Sequence, residues 1–142
     1  MASQRRIYLA LKGYLEDARI FDLTGERIFE SNEAIETGKD EMYVVIEAYP
    51  LAVAENRTER LAVMPYCVNI VLCTPLRLGN AYASSVANRI TSRFSEQSPD
   101  KCAFNMPGGK FYVTAVQQAS GYVENSMYRN VVQVLIDVYE VR

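Results

Sequence analysis

Apolar residues recur at spacings of three and four near the start of the chain: Ile7, Ala10, Leu11, Tyr14, Leu15 and Ala18. That spacing lays one apolar stripe along a helix, predicted from about Gln4 to Asp17, with Ser3 as its cap and Gly13 as its weak point. Thr24-Gly25 reads as a turn, Glu26–Glu30 as a short strand, and the polar, acidic stretch Ser31–Glu41 as a loop. The period then changes. Met42–Tyr49 is rich in β-branched and aromatic residues and is closed by Pro50, which predicts a strand. Ala54–Arg60 reads as a charged connection, the tip of a long hairpin. Its second arm is Leu61–Thr74, where Met64, Tyr66, Val68, Ile70 and Leu72 alternate with Pro65, Cys67, Asn69, Val71 and Cys73. Pro65 cannot donate to a sheet ladder, so an edge position or a bulge is expected there.

Pro75 ends that strand, and a second helix is predicted with Asn80 as cap and Ala83, Val86, Ala87, Ile90 and Phe94 on its apolar side. Ser95–Cys102 is a predicted loop. Gly108-Gly109 reads as a turn between Phe104-Asn105-Met106 and a strand Lys110–Gln118. A loop around Gly121–Ser126 leads to a closing strand, Tyr128–Val141, with Val132, Val134, Ile136 and Val138 on one face. Neighbouring runs of strands with only two helices predict a single α+β domain over residues 1–142. Its sheet should be largely antiparallel or mixed, with both helices packed on one face. The core expected from periodicity comprises Leu11, Leu15, Ile46, Val68, Ile70, Val86, Ile90, Phe94, Val134 and Ile136.

Composition narrows the class. The 142 residues are 49% hydrophobic and 23% charged, ordinary for a soluble globular chain that can bury a sizeable core. A net charge of −2 argues against a surface built to neutralise phosphates. Cys67, Cys73 and Cys102 are odd in number and lack a paired short spacing, so reduced thiols in a reducing compartment are expected. Cys67 and Cys73 lie too far apart along one extended strand to bridge. The N-terminal residues lead into an amphipathic stretch and not into a signal sequence, and no run approaches the ~18–20 apolar residues of a membrane span. A cytosolic site of synthesis and no membrane partner are expected.

The chain contains no histidine. Imidazole is therefore missing as general base, metal ligand and proton shuttle, and Ser-His-Asp or Cys-His nucleophilic systems are excluded. Scattered thiols do not form a common zinc spacing. Glu36, Asp40 and Glu41 are the nearest approach to a carboxylate metal cluster, but acidic residues in a polar loop usually face water. Asn105–Lys110 has two glycines and a lysine without the spacing, or the following Ser or Thr, of a phosphate loop, and a hairpin turn explains it better. Glu47 and Asp137 each interrupt an apolar strand and are candidates for paired-carboxylate chemistry; the plainer reading puts each on the solvent side. Ten tyrosines divide between sheet packing and an interface. No catalytic residue, cofactor or metal is expected.

Charge is segregated along the chain. Nine acids stand against four bases between Glu26 and Arg60, whereas Leu61–Ser95 holds Arg77, Arg89 and Arg93 and no acid. An acidic loop (Glu33, Glu36, Asp40, Glu41), flanked downstream by Arg57 and Arg60, and a basic surface at Arg77, Arg89 and Arg93 would suit head-to-tail contact between copies. Two solvated faces are the plainer alternative.

Taken whole, the sequence resembles the tail terminator (tail completion, or tail-to-head joining) proteins of long-tailed bacteriophages. The likeness lies in the opening helix Arg6–Leu15, the Ser31-Asn32 step before an acidic loop, and the strand Tyr43–Tyr49. It continues through a charged hairpin, the strand Tyr66–Pro75, the helix Asn80–Phe94 and the closing Asp137–Val141. The resemblance implies a non-enzymatic virion subunit, made in the host cytoplasm and working in the tail or neck. It would form a homo-oligomeric ring, usually a hexamer, that caps the tail tube protein and meets the head-completion or connector protein. DNA would pass through the lumen without sequence-specific binding. Another phage neck or minor tail subunit, or a small-molecule-binding α+β domain, are the alternatives.

Overall fold

The computed structural model describes residues 4–18, 28–30, 42–51, 55–58, 61–95, 103–106, 109–119, 121–124 and 126–141. The elements run α1 (Gln4–Ala18), β1 (Ile28–Glu30), β2 (Tyr43–Pro50), β3 (Glu55–Thr58), β4 (Leu61–Pro75), a 3-10 turn (Leu76–Leu78), α2 (Gly79–Ser95), β5 (Ala103–Met106), β6 (Gly109–Gln118), β7 (Tyr122–Glu124) and β8 (Met127–Val141). Among the described residues, eight strands share one sheet of order β1-β2-β4-β8-β6-β5, with β3 added to β4 and β7 added to β8. Among the described residues, only β1 and β2 pair in parallel, and every other pair is antiparallel. The fold is α+β, as the pattern predicted.

Alternation decides which way each strand faces. Val44 and Ile46 of β2 share a face with Tyr66, Val68, Ile70 and Leu72 of β4, and with Val132, Val134, Ile136 and Val138 of β8. Both helices cover that face, α1 with Ile7, Tyr8, Leu11 and Leu15, and α2 with Val86, Ala87, Ile90 and Phe94. All ten expected core residues are buried. The helices also touch each other: the Tyr14 and Phe94 rings lie 5.1 Å apart, and Tyr14 Oη donates to the Arg93 carbonyl at 3.1 Å.

Four local expectations need correction. Ala54–Arg60 is more than a connection, because β3 within it pairs with the start of β4. Gly121–Ser126 likewise contains β7, hairpinned onto β8 through Ser126, whose φ is 62°. Strands of three or four charged or exposed residues carry no periodic signal, and it is the long partner strand that holds them. The register Met106↔Gly109 puts Gly109 in β6 and not in the expected turn; Gly108 lies outside the described residues. Pro65 belongs to an interior strand, paired with β8 at Asp137. Leu51 N–H donates to the Pro65 carbonyl at 3.0 Å, so the side of Pro65 that lacks a donor faces away from β8. There the β2 pairing ends at Tyr66 and the β3 pairing starts only at Val63, so the proline costs the ladder just the reciprocal bond to Leu51.

Gly79 turns the chain into α2, one residue before the expected cap, with a φ of 83° that side chains rarely adopt. Gly121 is required for a different reason. A methyl group there would lie 2.5 Å from Oδ1 of Asn130, a side chain only 3% exposed and therefore unable to swing aside. Gly121→Ala should lower stability by about 1–3 kcal/mol. Denaturant unfolding checks this, and an unchanged midpoint would mean that Asn130 has room to move.

Candidate functional site

With both helices on one side, the other side of the sheet is where polar chemistry collects. The register sets four side chains in one transverse row on that side: Gln117 of β6 opposite Gln133 of β8, Gln133 opposite Asn69 of β4, and Asn69 opposite Glu47 of β2. Hydrogen bonds link the row. Gln117 Nε2 donates to Gln133 Oε1, Gln133 Nε2 to Asn69 Oδ1 at 3.4 Å, and Asn69 Nδ2 to Tyr49 Oη at 3.2 Å. Beside the β6 end lies an open groove of about 410 Å³ lined by Gln117, Gln118, Ala119, Val131 and Gln133. It offers amides and small apolar groups, with neither an aromatic wall nor a charge to fix a small molecule. Sequence reading missed this row because its hydrogen-bonded members lie up to 64 positions apart and meet only through strand pairing.

Near the start of β2 the same side of the sheet is more enclosed. Tyr43, Val45, Cys73 and Met127 are buried together. Arg129 Nη1 donates to Cys73 Sγ at 3.1 Å, and Arg129 Nε stands 3.8 Å from Glu124 Oε2. Burial pushes the Cys73 thiol up, partly opposed by the Arg129 charge, so it stays protonated and inert at neutral pH. Burial likewise raises the Tyr43 phenol. Cys67 and Cys73 are both free and buried, as expected; Cys102 lies outside the described residues.

The two suspected carboxylates do not converge. Glu47 and Asp137 both lie on the helix-free side, but the registers set them roughly 13 Å apart along the strand direction and two strands apart across it. Among the described residues, no three His, Cys, Asp or Glu side chains gather to hold a metal.

Of the expected interface residues, Glu33, Glu36, Asp40, Glu41 and Arg60 lie outside the described residues, as does the side chain of Arg57 on β3. Arg77, Arg89 and Arg93 are exposed. Arg89 and Arg93 sit one turn apart on α2, with the Arg93 guanidinium 5.8 Å from the Tyr14 ring centre. Arg77 lies in the 3-10 turn before α2, whose first residue, Gly79, is about 15 Å of axial rise from Arg89. The basic surface is therefore two patches at opposite ends of a helix.

No family model matches the chain, and no curated protein does. Solved structures do match. One similar chain superposes with a TM-score of 0.63 over 97% of this chain and 96% of its own, at 18% identity. That likeness extends to the fold alone. Among the described residues, no helix is long and apolar enough to cross a membrane.

Proposed function

We propose that the chain is a structural virion subunit of the tail terminator kind, a non-enzymatic protein without a cofactor. In this reading it closes with copies of itself into a ring, caps the tail tube and joins it to the head connector, while DNA passes through the lumen unread. The observation that carries the reading is the order and size of the elements that bear the resemblance. An opening helix, a long hairpin, a second helix and long closing strands follow one another in that order, which supports the reading.

Ring closure needs two different surfaces that fit each other. Segregated charge supplies a candidate pair: the acidic segment Glu33–Glu41 and the neighbour's Arg89 and Arg93, with Arg77 as a separate, distal contact. Exposed ion pairs contribute about 0–1 kcal/mol each, so apolar contacts must carry most of the affinity while charge sets register and encounter rate. Reversing Arg89 and Arg93 to glutamate should weaken ring formation and tail completion, most strongly at low salt. Lysines at Glu36 and Glu41 should restore both. Unaffected assembly of the reversed protein would remove this pair from the interface.

A further inference from the structure

A sheet edge presents unpaired backbone donors and acceptors, and natural edges are usually guarded by charge, proline or cover. The β1–β2 margin of this sheet is guarded: Glu30 and Glu47 are charged, and Pro50 removes a donor. The opposite margin is not. β5 covers β6 only as far as Tyr112, and among the described residues no strand pairs with the outer side of Thr114–Gln118. From Val113 to Val123 the sequence contains no charged residue and no proline. Thr114, Ala115, Gln117, Gln118 and Ala119 are exposed.

Backbone geometry sets the register such an edge would accept. Ala119 N–H donates inward to the Val131 carbonyl at 2.9 Å. Alternation then turns the N–H and C=O of Val116 and Gln118 outward. We propose that the β6 edge is a self-association site that pairs antiparallel with the same edge of a second copy, about a two-fold axis at Gln117. Val116 and Gln118 of one copy meet Gln118 and Val116 of the other, forming four backbone hydrogen bonds. Ala115 faces Ala119 across the join, a pair small enough to pack closely. Gln117 faces its own counterpart, so the amide row runs on from Asn69 and Gln133 of one sheet into those of the next. The β2 margin could not pair with itself in this way, because Pro50 there supplies no backbone donor.

This contact is separate from ring closure: whatever assembly the other surfaces make, the two-fold doubles it. The test is native mass spectrometry of the full chain carrying Gln117→Glu or Gln117→Lys. Each variant alone sets like charges across the axis, and its assembly mass should be half that of the unsubstituted protein. Mixing the two should restore the full mass. Gln117→Cys should also form a covalent dimer when oxidised glutathione is added as the oxidant, a readout that needs no disruption of the contact. A monomeric unsubstituted protein, charged variants of unchanged mass, or a mixture that fails to recover would each overturn the proposal.

Discussion

Replacing Phe94 with alanine should cost about 3–5 kcal/mol, the range for truncating a large buried aromatic. Phe94 is 1% exposed and closes the C-terminal end of α2 over the central strands. Its ring also packs on Tyr14 at 5.1 Å, so the truncation opens a cavity between the two helices as well as above the sheet. Because α2 covers β4, β6 and β8, the loss should appear as one cooperative shift of the denaturation midpoint. A loss below about 1 kcal/mol would mean that the helices collapse readily into the space.

Tyr8→Ala should be of similar size, about 3–5 kcal/mol, while Tyr8→Phe should cost only about 0.5–1.5 kcal/mol. The side chain is 2% exposed, and its hydroxyl donates to the Ile28 carbonyl at 2.9 Å. Alanine removes the packing and the bond together, whereas phenylalanine removes the bond alone. That bond joins residues 20 positions apart and ties α1 to β1, which pairs with β2 in parallel. Parallel denaturation curves for the two variants separate the contributions. Equal losses would mean that the hydrogen bond, and not ring burial, anchors the helix.

Much of the fold was legible because burial imposes a period. Leu11 and Leu15 on α1, Val86, Ile90 and Phe94 on α2, and the alternating valines and isoleucines of β2, β4 and β8 all face the side their spacing predicts. What escaped depends on partners distant in sequence. Glu55–Thr58 and Tyr122–Glu124 are strands only because long neighbours pair with them. Pro65 sits in an interior strand because two partners happen to break beside it. The amide row needs the registers of four strands before Gln117, Gln133, Asn69 and Tyr49 can be seen as neighbours. The basic half of the expected interface was legible as charge, but its division into an Arg89–Arg93 patch and a distant Arg77 follows from helix geometry.

Assembly into a closed ring is tested most directly by the native mass of the full chain in solution, alone and with tail tubes. The proposed function predicts a discrete assembly of more than two 16.1 kDa subunits that the Gln117→Glu substitution does not reduce to a monomer, or a monomer that becomes such an assembly when tubes are added. A chain that remains monomeric at every concentration and in the presence of tubes would contradict it.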